Sequence, residues 1–232
     1  MSPLARRALA EFVGTGFLVA AVIGSGIAAT RLSPGQSGLQ LLENSLITGG
    51  ALIALILALQ PVSAAFNPVV TAVERALGSI GTREAGALIL AQFGGGIAGA
   101  MVANLMFDLA AINLSAHHRS GANLWLGEVV ATSGLLLVVF GTLRSGRTER
   151  VAFAVGGYIL AAYWFTSSTS FANPAVTVSR VFSDSFAGIA PASAPGFVVA
   201  QLLGGVLGYG LVRGLYPSGS GQLVLDDTTE RP

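Results

Sequence analysis

The sequence predicts an all-α integral membrane fold: six transmembrane helices and two re-entrant half-helices, arranged as an inverted repeat. Three observations carry this expectation. Of 232 residues, 53% are hydrophobic and only 10% charged, against roughly 25% charged in soluble domains. Apolar runs near the 20 residues that cross about 30 Å of hydrocarbon recur along the chain. A short Asn-Pro segment occurs twice, FNPVVT at 66–71 and FANPAVT at 171–177.

Taken in order, the predicted spans are about 5–29, 39–61, 83–107, 122–143, 150–169 and 194–216. Arg6 and Arg7 precede the first run, as in a signal peptide, but the run is too long for an h-region and lacks a convincing cleavage site. It reads as a retained first helix. Between the spans lie RLSPGQSG at 31–38, the stretch 108–121 with His117, His118 and Arg119, and the arginine turn 144–150. Six spans put both termini on one side, with Arg6, Arg7, Arg75, Arg83, Arg144, Arg147, Arg150 and Arg213. Only Arg31, Arg119 and Arg180 lie opposite. The positive-inside rule then makes both termini cytoplasmic. Residues 218–232 form a small, polar tail with the composition of a disordered segment.

Self-similarity sets the topology. Glu11 opens AEFVGT in the first span and Glu128 opens GEVVAT in the fourth. The Asn-Pro segments follow the second and fifth spans, and AQFGGG at 91–96 matches AQLLGG at 200–205. Order is kept at separations of 117, 106 and 109 residues. Three spans per half, an odd number, insert the second half upside down. Each Asn-Pro segment then opens a helix too short to cross, Asn67 to about Ala76 and Asn173 to about Phe182. Ten residues make about 15 Å of helix.

In an inverted repeat the two half-helices start near the midplane, with positive dipole ends facing each other. Irregular backbone at that depth requires protein or a water-filled lumen around it. A pore follows, with Asn67 and Asn173 projecting amide donors and Pro68 and Pro174 fixing the helix starts. Residues 1–217 read as one channel domain, with repeats at about 5–107 and 122–216. Gly94, Gly95, Gly96 and Gly99, and Gly204, Gly205 and Gly208, mark faces of close helix packing.

Other classes fall away. The chain has no cysteine, which removes disulfides, thiolate metal sites and cysteine nucleophiles. No Ser-His-Asp, metal or phosphate-cradling constellation appears, so no enzyme, cofactor or metal is expected. The net charge of +1 suggests no nucleic-acid partner. His117 and His118 could form a metal or pH pair, but read as a solvated loop pair for want of further ligands. Trp125, Tyr158, Tyr163 and Trp164 read as interface anchors or packing residues.

From Ala10 to about Tyr216 these motifs, in this order, resemble the aquaporin or major intrinsic protein family. The resemblance implies a homotetramer in the lipid bilayer, each subunit with its own pore for water or small neutral solutes. It also implies that Glu11 and Glu128 hold the re-entrant loops by hydrogen bonds, the alternative being a proton relay. The family's second constriction falls, by counting, on Ile47, twenty residues before Asn67, and on Ala161, Ser170 and Val176, twelve before, three before and three after Asn173. Thr48 is the alternative to Ile47, because a one-residue slip in the second span is allowed. Water-selective relatives place an aromatic, a histidine, a small polar residue and an arginine there. This chain departs from that pattern.

Val176 for arginine and Ala161 for histidine predict a wider, less polar filter. Such a filter resembles that of a bacterial arsenic-resistance-associated aquaglyceroporin-like subgroup, in which arsenite passes as neutral arsenous acid. Ser170 stands where many members carry cysteine, so no thiol would trap trivalent arsenic. Arg180, one turn beyond Val176, either lines the outer vestibule or snorkels and pairs with Asp184. Val69 replaces the alanine usual in the first Asn-Pro motif, whereas Ala175 keeps it in the second. The expected function is a passive channel in the bacterial inner membrane for arsenous acid and related uncharged arsenicals, with glycerol, urea and water. The alternatives are a general glycerol or water channel and a coupled secondary transporter.

Overall fold

The computed structural model describes residues 1–216; the polar tail at 218–232 lies outside them. The described residues form eight α-helices: α1 (Pro3–Leu32), α2 (Ser37–Leu59), α3 (Pro68–Ala76), α4 (Thr82–Met106), α5 (Ala122–Arg144), α6 (Val151–Phe165), α7 (Pro174–Ser179) and α8 (Ala194–Leu215). Five of them, α1, α2, α4, α5 and α8, are long and apolar enough to cross a membrane. The fifth span, α6, is shorter than the predicted 150–169. A 3₁₀ turn at Thr148–Arg150 leads into α6, and Thr166 turns extended at φ −103°, ψ 140°.

The repeat is visible in the packing. Helix α1 packs on α4, as α5 packs on α8, and the halves join through α2 on α6 and through the half-helices, α7 on α4 and α3 on α8. Glycines let α1 and α4 approach: a Cβ on Gly95 or Gly99 would collide with the backbone carbonyls of Phe12 and Gly16. The half-helices α3 and α7 meet each other inside this ring, and both pack against α4 or α8.

Each half-helix starts by the same local device. Asn67 Oδ1 accepts from Val69 N at 3.0 Å, and Asn173 Oδ1 accepts from Ala175 N and Val176 N at 3.0 and 3.2 Å. Proline follows each cap in the first helical turn, where its missing N–H leaves no bond unmade. Helix α7 is shorter than the predicted ten-residue element and closes as a 3₁₀ turn at Arg180–Phe182. The carbonyls of Val181 and Phe182 turn instead to Ser115 N (2.9 Å) and Asn113 N (3.1 Å) of the α4–α5 connection.

Candidate functional site

A single continuous cavity of about 260 Å³ runs through the helix ring, from Arg7 and Glu74 at one end, past both asparagines, to Arg180 at the other. Its middle is held by two matched hydrogen-bond systems. Glu11, on α1, accepts from Ala65 N (2.9 Å), Phe66 N (2.7 Å), Ser63 Oγ (2.5 Å) and Gln92 Nε2 (2.8 Å). Glu128, on α5, accepts from Phe171 N (2.9 Å), Ala172 N (2.8 Å) and Gln201 Nε2 (2.6 Å). Both acids are fully buried, which is tolerable because their oxygens are hydrogen-bonded.

These bonds hold strained backbone. Phe66 and Ala172, each one residue before its asparagine, sit at φ +49° and +48°, a left-handed conformation that costs a non-glycine residue roughly 1–2 kcal/mol. The carboxylates over-determine it from one side. From the other, Asn67 Nδ2 donates to Ala172 O (2.8 Å), and Asn173 Nδ2 donates to Phe66 O (2.7 Å). Each amide therefore spends one N–H on the opposite loop and keeps the other for the lumen.

A family model described as Major intrinsic protein matches residues 1–161 and 143–230. The chain belongs to the major intrinsic protein family. It is accordingly an integral membrane protein and a passive channel for small neutral solutes, not an enzyme. Among relatives, it is 47% identical over 213 residues to Aquaglyceroporin AqpS of Rhizobium meliloti, covering 91% of each chain. It is 36% identical over 157 residues to Aquaporin A of Dictyostelium discoideum, covering 63% of this chain and 56% of that one. The X-ray structure of the aquaglyceroporin from Plasmodium falciparum superposes with a TM-score of 0.71 at 19% identity, over 92% of this chain and 96% of that one. That last likeness concerns the fold.

Two filter positions reached by counting are corrected by the structure. Ile47 is 52% exposed and points away from the lumen, whereas Thr48 is 3% exposed and lines it. Ala161 is also exposed and off the cavity; Tyr163, 3% exposed, takes its place. The cause is helical phase. On α6 the lining residues are Val151, Val155, Ile159 and Tyr163, and on α2 they are Thr48, Leu52 and Ile56, all spaced by four. Ala161 lies two residues from this stripe and is rotated about 200° away, while Ile47 is about 100° off. The relevant α6 residue thus stands ten before Asn173 (173 − 163), not twelve. The i, i+4 run Val151–Val155–Ile159–Tyr163 was the signal in the sequence that could have found it.

Ser170 and Val176 do line the cavity. Ser170 Oγ is buried and has no protein partner. Val70 and Val176, three residues beyond their asparagines, are matching apolar lining positions. Val69 is off the cavity: its Cγ1 occupies the space beside Gly205, where an added Cβ would be 2.7 Å away. Its extra methyl groups are absorbed by α8, not by the first constriction. Ala175 is fully buried in the second helix start.

Arg180 does not snorkel or pair with Asp184. Its side chain is buried and lines the cavity, its Nε donates to Ala187 O, and its guanidinium stands 3.4 Å from the centroid of the Phe171 ring. Asp184, exposed, instead accepts from Ala116 N. Arg119 also stands over Phe171, at 5.4 Å, while donating to Gly188 O and Phe186 O. His117 and His118 are exposed. Among the described residues no group of three His, Cys, Asp or Glu could hold a metal ion.

A fixed cation at one mouth repels cations that enter there. Arg180→Ala should raise monovalent-cation leak through protein-loaded liposomes several-fold and increase glycerol permeability by less than about threefold. Ion-sensitive dye and stopped-flow light scattering read both effects. Unchanged leak together with unchanged solute flux would remove Arg180 from the vestibule function.

Proposed function

We propose that this protein is a passive, tetrameric channel of the bacterial inner membrane, with both termini cytoplasmic, that conducts arsenous acid and related uncharged arsenicals together with glycerol, urea and water. The observation that carries this reading is Val176 on the cavity wall, 5% exposed, at the position where water-selective relatives carry arginine. An apolar side chain there removes a charge and a rigid donor fork, leaving room for a solute larger than water.

Ser170 supports the arsenical part, since a hydroxyl wall hydrogen-bonds neutral hydroxylated solutes and has no thiol to capture trivalent arsenic. The 47% identity to an aquaglyceroporin supports solutes of glycerol size. Orientation rests on the arginine asymmetry, and the Arg7–Glu84 ion pair between the starts of α1 and α4 is consistent with it.

Purified protein in liposomes should accelerate glycerol and water equilibration by stopped-flow light scattering and raise arsenite uptake at least fivefold over protein-free liposomes. The uptake should stop at concentration equality. Glycerol flux without arsenite flux would identify a general glycerol channel. Accumulation above the outside concentration, driven by a proton gradient, would replace the channel with a coupled transporter.

A further inference from the structure

Among the described residues, three charged side chains line the cavity: Arg7 and Glu74 at one end and Arg180 at the other. Glu74 and Arg180 hold matched places in the repeat, each seven residues beyond its pore asparagine (74 − 67 and 180 − 173). The inverted arrangement carries them to opposite mouths, an acid at one and a base at the other. Arg7 is paired with Glu84 at the start of α4, which balances its charge. Glu74 is thus the acid of the lumen wall.

This acid is held at a cost. Its Oε2 is buried without a hydrogen-bond partner, and burying a charge unpaired is expensive. It also lies in the last turn of α3 (Pro68–Ala76), where the helix dipole opposes a negative charge. The charged groups acting on it are Glu11 and Arg7, on α1, and Glu84, on α4. Two acids against one base do not neutralise it. A carboxamide of the same size would fill the place with no charge to desolvate, so packing does not account for the carboxylate.

The other fixed charges along the path favour anions. Arg180 repels cations at its mouth and attracts anions, and the positive ends of α3 and α7 at the midplane act in the same sense. A permeating ion must pass all of them in series. Rejection of anions therefore needs a negative group on the same path, and Glu74 supplies it.

We propose that Glu74 is a specificity-determining residue that excludes small inorganic anions, so that the repeat-matched Glu74 and Arg180 each reject one sign of charge and leave the lumen to neutral solutes. The inference rests on the channel function above and names how that channel keeps anions out.

The test measures chloride influx into proteoliposomes by quenching of an entrapped halide-sensitive dye, with a potassium ionophore carrying the counter-charge. Wild type is compared with Glu74→Asp, Glu74→Gln and Glu74→Lys, alongside glycerol flux by stopped-flow light scattering and sodium leak by ion-sensitive dye. With the carboxyl ionised at about pH 8, Glu74→Gln should raise chloride influx about fivefold, the effect of one fixed charge at a solvated mouth. Glu74→Lys should raise it further, and Glu74→Asp should stay near wild type. Glycerol flux should change less than about twofold, because a neutral solute meets no charge barrier, and sodium leak should not rise. Acidification to about pH 5.5 protonates the carboxyl and removes its charge, so wild type should approach Glu74→Gln, which itself stays flat with pH. A merely structural Glu74 would shift thermal unfolding without this charge order or pH step.

Wild-type chloride influx in both Glu74→Gln and Glu74→Lys would overturn the inference. So would sodium leak that rises in step with chloride in Glu74→Gln, or one pH profile shared by wild type and Glu74→Gln. Should Glu74→Lys fail to assemble, Glu74→Gln, Glu74→Asp and the pH profile decide. A wild type that passes chloride as fast as Glu74→Gln overturns the inference and leaves glycerol conduction standing. A wild type without glycerol flux overturns the channel reading, while the chloride comparison still decides the role of Glu74.

Discussion

Val176→Arg should reduce glycerol and arsenous acid permeability at least tenfold, an added barrier of about 1.4 kcal/mol, while water permeability falls less than about threefold. The valine is buried against the lumen of a cavity of about 260 Å³, so four additional side-chain heavy atoms must occupy the passage. Water, smaller than either solute, retains a route, and the guanidinium offers it donors. Arg180 lies four residues on, one turn away, where like charges oppose each other. The companion variant Val176→Arg/Arg180→Ala removes that repulsion and should show the same ranking of solutes. Stopped-flow light scattering and arsenite uptake on matched proteoliposomes measure it. Equal arsenite flux in wild type and both variants would displace position 176 from the filter.

Glu128→Ala should severely damage the assembled pore. It orphans Phe171 N and Ala172 N and takes one of the two bonds of Gln201 Nε2, which keeps Thr177 Oγ1, and each buried donor left unpaired costs about 1–3 kcal/mol. Around them, Thr169, Ser170 and Ala172 are all held at positive φ, so the loop would relax once the carboxylate is gone. We expect a fall of folded yield in detergent by at least fivefold and glycerol flux per folded protein reduced at least tenfold, because the Asn173 cap and its bond to Phe66 O depend on that loop. Glu128→Gln should be milder, since one amide oxygen can still accept the bonds that reach Oε2. Fluorescence-detected size exclusion and flux assays separate these outcomes; wild-type yield and flux in Glu128→Ala would show that the loop is held by other contacts.

The matched glutamates also explain how much was legible before any coordinates. Glu11 and Glu128, Gln92 and Gln201, and the two Asn-Pro pairs recur in the same order in each half. A repeat converts weak local signals into a topology, because every element must have a counterpart in the same order and with the opposite insertion. Local chemistry then placed the half-helix starts, since an asparagine cap followed by proline needs only its own turn. Chain order alone could not place the reciprocal bonds from each asparagine to the opposite loop, which join residues 105 and 107 apart.

By itself, therefore, the sequence determined an inverted six-span membrane fold with two inserted half-helices, because membrane length, repeat order and helix capping are all written in contiguous residues. Only the tertiary structure decided which wall residues the solute meets: Thr48 and not Ile47, Tyr163 and not Ala161, with Val69 turned into α8 and Arg180 drawn in over Phe171. The physical reason is rotational. Each residue along a helix turns the side chain by about 100°, so a count along the chain that slips by one or two positions moves a residue from lumen to lipid, and only packing against the neighbouring helices sets the phase.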